Sequence, residues 1–267
     1  AGVLPLNYAR EPPLVIVRQC LPVKAVLRHK SGRMTNPNPS PDRRTLWAYV
    51  LPFAVFMGGL ALISLAQSFS PAENAPLWLD EPKYWVFPLQ TILCGGLVLW
   101  FWRTYDWGTS WHVLTAVLTG LVVLALWVSP QWLLGAEPRR EGFNPDIFAG
   151  SAVLYWGTLV LRFVRLVVVV PLLEEIFWRG FLLRYLIKED FTKVPFGTFS
   201  WFSFGVVTVM FGLAHFGPDF LPALLTGAVY NLLAVKTRSL ACCVIAHAVT
   251  NLGLGIYIMQ TSQWGFW

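Results

Sequence analysis

From about residue 46 onward the chain alternates long apolar runs with short breaks rich in polar residues, proline and glycine. The runs cover about 46–66, 84–102, 111–129, 148–186, 196–215, 220–235 and 239–259. A helix crosses roughly 30 Å of hydrocarbon with about 20 residues at 1.5 Å each. The pattern therefore predicts an all-α fold, a polytopic transmembrane helix bundle of about seven spans. The fourth run is too long for one simple crossing, so it predicts either a tilted helix that emerges from the bilayer or a kink at Pro171. Trp85, Trp102 and Trp111 sit at run edges, where indole rings suit the membrane interface.

The region ahead of the first run differs in kind. Residues 1–33 are basic and punctuated by proline, and Leu14-Val15-Ile16-Val17 is too short for the core of a signal peptide. Met34 is the expected native start, with residues 35–44 a polar lead-in. The expected organisation is a disordered or non-native tail over 1–45, a three-span scaffold over 46–147, and a four-span catalytic region over 148–267.

Composition supports the membrane reading: 56% of the 267 residues are hydrophobic and 13% charged, where soluble domains carry about 25%. Of the formal net charge of +6, five units lie in residues 1–33. The body is thus nearly neutral, which argues against a nucleic-acid partner. Cys20, Cys94, Cys242 and Cys243 show no metal or redox spacing, and the last three read as small buried hydrophobes. Orientation follows from the short loops. With a cytoplasmic N-terminus, Arg43, Arg44, Arg103, Arg184, Lys188, Lys193, Lys236 and Arg238 face the cytoplasm, against Lys83, Arg139 and Arg140 opposite.

Costly polar groups at membrane depth are concentrated in the last four runs: Arg162, Arg165, Glu174, Glu175, Arg179, His215, Asn231, His247 and Asn251. A charge at the bilayer centre costs about 2.5–3.5 kcal/mol even on lenient scales, so such groups need partners or a function. Glu175 and Arg179 are four apart, as are Phe211 and His215, and His247 and Asn251; residues at that spacing share a helix face. If the three helices face one another, the set contains a base, a second proton-handling group, hydrogen-bond donors and a cation, which are the parts needed for hydrolysis. Each residue also has a plainer reading. Glu175–Arg179 closes a helix end as an ion pair, His215 is a helix-terminal histidine, and His247 and Asn251 are interhelical glue. Arg162 and Arg165 read as structural or headgroup-facing, and Tyr230 and Asn231 as packing or cavity polar groups.

Glu174-Glu175-x-x-x-Arg179, Phe211-x-x-x-His215 and His247-x-x-x-Asn251, in that order within apolar helices, resemble the three-motif signature of the CAAX-protease and bacteriocin-processing (CPBP, or Abi) family of intramembrane proteases. Type II CAAX prenyl endopeptidases belong to it. The resemblance covers about residues 150–260, and Trp178-Arg179-Gly180-Phe181 is similar to the bacterial CAAX-protease-related branch. It implies an integral membrane protease, in the bacterial inner (plasma) membrane, with a cavity open to the cytoplasm. Glu174 is then the base that activates water, assisted by His215; His247 and Asn251 bind the oxyanion; Glu175 and Arg179 position Glu174. The implied partners are the lipid bilayer and a lipid-modified or transmembrane peptide, cleaved near its C-terminus. Cofactor-free catalysis is expected, because no His-Glu-x-x-His pair fixes two ligands on one face. The metalloendopeptidase-like alternative places zinc on Glu174, His215 and His247. Two other classes share the same polar groups: a proton-coupled transporter, and a non-catalytic membrane scaffold or immunity protein.

Overall fold

Each apolar run is helical in the computed structural model, which describes residues 42–68, 76–109 and 111–267. The expectations for residues 1–33 and Met34 lie outside the described residues. The helices are α1 (Arg43–Ser68), α2 (Lys83–Trp100), α3 (Val113–Leu133), α4 (Ala152–Tyr185), α5 (Trp201–Leu213), α6 (Phe220–Thr237) and α7 (Leu240–Thr261). The protein is a polytopic helical bundle. Five of the helices, α1, α3, α4, α6 and α7, are long and apolar enough to cross a membrane. The other two fall short for identifiable reasons. Lys83 and Gln90 dilute the apolar character of α2. With 13 residues, α5 reaches only about 20 Å at 1.5 Å per residue.

Serine hydroxyls set three helix starts. Ser151, Ser200 and Ser239 accept hydrogen bonds from the amides of Leu154, Ser203 and Cys242, satisfying donors that a first helical turn leaves unpaired. The Ser200 cap, preceded by a turn at Pro195–Thr198, is what makes α5 begin later than the apolar run suggests.

Small residues let the helices approach closely, as expected where lipid removes the hydrophobic drive between helices and packing must replace it. A Cβ on Gly120 of α3 would lie 2.5 Å from the Ala246 carbonyl of α7. That contact leaves the Gly120 carbonyl free to accept from the Thr250 hydroxyl at 2.8 Å. Gly227 of α6 is similarly tight against Thr208 and Phe211 of α5. Residues that are mostly exposed on the bundle, such as Trp100, Leu114, Leu133, Val153 and Trp201, form an apolar exterior that suits lipid.

The 34-residue α4 contacts α1, α2 and α7. Two π-helical stretches interrupt it, Arg165–Val169 and Ile176–Leu182. These widened turns are the departure from ideal geometry that the sequence left open between a tilt and a kink at Pro171, and they flank the two glutamates.

Candidate active site

Pro171 explains the first π stretch. Proline has no N–H and crowds the carbonyl four residues before it, so an ordinary α turn cannot run through residue 171. The Val170 amide instead donates five residues back, to the Arg165 carbonyl. The Leu166 carbonyl then lacks its usual donor, because Val170 is engaged and Pro171 cannot donate. The Asn251 carboxamide of α7 supplies one, with Nδ2 2.8 Å from the Leu166 oxygen. This bond fixes the Asn251 side chain and leaves its second N–H for other use.

The next turn carries Glu174 and Glu175, and their surroundings differ. Glu175 is fully buried and accepts from Arg179 Nη1 at 3.0 Å. Its Oε1 also lies 2.9 Å from His247 Nδ1, joining α4 to α7. Arg179, also fully buried, gives two further donors to Asn231 Oδ1 at 3.1 Å and the Gly227 carbonyl at 3.3 Å, both on α6. The Asn231 amide is held in turn by Thr208 Oγ1 and the Phe204 carbonyl of α5. The Phe211 and Tyr230 rings flank the guanidinium at 4.7 and 5.4 Å. Asn231 and Tyr230, read from sequence as packing or cavity polar groups, belong to the cradle of Arg179. A lone carboxamide at membrane depth was the available signal for Asn231.

Glu174 is not tied down in this way. It lines a cavity of about 200 Å³ together with His215, His247, Asn251, Tyr230, Thr250 and Trp127. Its Oε2, like that of Glu175, is buried with no hydrogen-bond partner among the described residues; what separates the two is that Glu174 lines the cavity and carries no ion pair among the described residues. His215 follows the last turn of α5, where its Nδ1 lies 2.9 Å from the Phe211 carbonyl. A carbonyl can only accept, so Nδ1 carries the proton and Nε2 of the neutral ring is an acceptor. The helix-terminal reading and the cavity-lining reading of His215 therefore both hold, one for each ring nitrogen. The cavity also brings in Trp267, which follows α7.

A second cavity of about 240 Å³ shares Glu174, His215 and Trp267 with the first and is lined on another side by Phe53, Phe56, Met57 and Leu60 of α1. Arg162 and Arg165 line it too, and both are buried. This corrects the headgroup-facing alternative for the two arginines. Arg165 donates to Gln90 Oε1 of α2 through Nε at 3.1 Å and Nη2 at 2.8 Å, and Gln90 donates onward to the Phe56 carbonyl. The N-terminal three helices, expected as plain scaffold, thus place one amide inside the polar interior.

Among the described residues, no group of three or more His, Cys, Asp or Glu side chains is arranged to hold a metal ion. His247 commits Nδ1 to Glu175, and Glu175 is shared with Arg179. Glu174, His215 and His247 do not form such a group. Cys94, Cys242 and Cys243 are free and buried, without the thiolate clusters that soft metals favour.

Residues 155–253 match the family described as Rce1-like, type II CAAX prenyl endopeptidase Rce1-like. The matched stretch contains Glu174, Glu175, Arg179, His215, His247 and Asn251. No curated protein and no solved structure gives a significant match.

Proposed function

Since residues 155–253 match the type II CAAX prenyl endopeptidase (Rce1-like) family, we propose that the protein is an intramembrane endopeptidase of that kind using a glutamate-activated water. It cleaves a peptide bond near the C-terminus of a membrane-associated, prenylated or otherwise lipid-modified substrate. The observation that carries this reading is the cavity that Glu174, His215, His247 and Asn251 line together, with Glu174 keeping an unpartnered oxygen.

Glu174 takes a proton from water as it attacks the scissile carbonyl, while His215 Nε2 accepts a hydrogen bond from the same water's other O–H. As the carbonyl oxygen becomes an oxyanion, the free N–H of Asn251 and the protonated Nε2 of His247 donate to it. Such donors contribute most when they are fixed before the charge develops. The fixing is visible in both cases: Asn251 is held by the Leu166 carbonyl and His247 by Glu175. The proton on Glu174 then passes to the leaving amine. No step passes through a metal.

The apolar wall formed by Phe53, Phe56, Met57 and Leu60 of α1 offers a lipid chain a surface beside Glu174. The loop charges favour a cytoplasmic N-terminus. The test is comparative mass spectrometry of membrane-protein C-termini in cells carrying the wild-type protein or Glu174→Ala. The proposal expects a set of truncated C-termini that disappears in the variant while the protein still accumulates in the membrane. Identical C-termini in both, with the biological role retained, would instead favour a non-catalytic scaffold.

A further inference from the structure

The two ends of the bundle differ in charge, and the contacts show which segments belong to each. At one end the Tyr49 ring meets Phe191 at 5.1 Å and the Tyr105 hydroxyl donates to the Ala48 carbonyl. The Ser239 hydroxyl and the Ala241 amide donate to the Trp107 carbonyl there. This end therefore gathers the start of α1, the α2–α3 connection, the α4–α5 connection and the α6–α7 turn. At the other end Tyr84 donates to the Asn144 carbonyl, Arg139 pairs with Asp219, and the Gly265 amide donates to the Arg139 carbonyl. Among the described residues, segments 42–44, 103–106, 184–193 and 236–238 at the first end hold eight Lys or Arg. Segments 80–83 and 137–146 with Asp219 at the second end hold three, among six Asp or Glu. Short loops rich in Lys and Arg stay in the cytoplasm, which makes the first end the cytoplasmic one.

The cavity that Glu174 lines runs to the second end. Asp219, Gly265 and Trp267 line it there and are half-buried, whereas Glu174 at its inner wall is 6% exposed. Phe216, beside His215 at the mouth, is 79% exposed. Towards the cytoplasmic end the packing is closed: Glu175, Arg179, Asn231, Ser203 and Phe191 are all fully buried. Glu174 stands only 11 positions before Tyr185, the cytoplasmic end of α4, about 16 Å at 1.5 Å per residue. Nearness to that end gives no access, because the cradle of Arg179 fills the space and forms the cavity floor. We infer that the cavity opens away from the cytoplasm, opposite to the direction that the family resemblance implies. Its substrate is a membrane-tethered peptide whose scissile segment has been translocated. This rests on the proteolytic reading of Glu174. A chain end in the cytoplasm meets the buried floor, while a translocated one enters beside His215 and Trp267.

The experiment labels single cysteines with a membrane-impermeant maleimide in intact bacterial spheroplasts that express the full-length protein. Phe216→Cys marks the cavity mouth and Lys188→Cys the opposite end, both in a Cys20→Ser background whose remaining cysteines are buried. Glu141→Cys, exposed on the loop that packs against the mouth, repeats the first reading independently. The expected result is labelling of Phe216→Cys and Glu141→Cys at least tenfold faster than of Lys188→Cys in intact spheroplasts, and comparable labelling of all three after detergent permeabilisation. The reverse pattern, or equal labelling before permeabilisation, overturns the outward opening and leaves the protease standing. Protection of Phe216→Cys that persists after permeabilisation also overturns it. A second arm ties the mouth to turnover. The Phe216→Cys and Lys188→Cys proteins are reconstituted in phosphatidylcholine vesicles at several orientation ratios, and a prenylated peptide too polar to cross the bilayer is added outside. Cleavage should rise in proportion to the fraction of Phe216→Cys protein labelled from outside. Proportionality to the fraction of Lys188→Cys protein labelled from outside puts the entrance at the basic end and overturns the inference. Labelling as expected, with no cleavage in any preparation, counts against the proteolytic reading itself.

Discussion

His247 and Glu175 are joined across two helices: Nδ1 of the imidazole lies 2.9 Å from the same Glu175 oxygen that accepts from Arg179. One carboxylate oxygen therefore couples a helix-internal ion pair on α4 to a cavity-lining residue on α7. It also fixes which face the imidazole turns to the cavity, since Nδ1 is occupied and Nε2 is left.

Loss of Arg179 should be severe for stability. Arg179→Met removes the partner of a fully buried carboxylate and leaves it uncompensated, a change that typically costs about 3–5 kcal/mol. Measured as thermal unfolding in detergent, this variant should unfold well below the wild type. Arg179→Met combined with Glu175→Gln should recover a substantial part of the loss, because no buried charge is left alone. An Arg179→Met protein as stable as wild type would show that the pair is not structural.

Pro171 and Asn251 should be energetically coupled, although one is a backbone matter and the other a side chain. Asn251→Ala leaves the Leu166 carbonyl without a donor, at a cost of about 1–3 kcal/mol. Pro171→Ala restores an amide that can return to this turn, so Asn251→Ala should cost less in that background. A double-mutant cycle on unfolding free energy is expected to give a coupling of about 1 kcal/mol, within the range usual for contacting groups. Additive effects would remove Pro171 from the account of Asn251.

The glutamates, the histidines and their helices were readable from sequence because they rest on period and cost. Four-residue spacing put Glu175 beside Arg179, and the expense of charge in lipid marked out the last four helices. What stayed hidden depends on where backbone groups become free. The bond from Asn251 to Leu166 exists because Pro171 widens one turn, and a hydrophobic pattern does not encode a π stretch. Gln90 was hidden for another reason: a single neutral amide in an apolar helix carries little cost of its own, and its meaning comes from Arg165 on another helix. Helix ends were legible to within a few residues, except at α5, where the Ser200 cap and the turn before it shorten the helix.

Chelation separates the two chemistries directly. The donor arrangement predicts that cleavage by the purified protein survives exhaustive treatment with EDTA and 1,10-phenanthroline, followed by removal of the chelators. Loss of activity that zinc restores would mean that the side chains rearrange into a metal site on binding substrate, and would displace glutamate-only catalysis.

The most direct measurement is the rate of C-terminal peptide release from a prenylated peptide by the protein reconstituted in vesicles, compared between wild type and Glu174→Gln. A positioned general base is worth about 10²–10⁴ in rate. The account predicts a loss of at least 100-fold with the unfolding temperature unchanged, since Glu174 Oε2 has no partner to lose. Wild-type rates in a folded Glu174→Gln protein would contradict it.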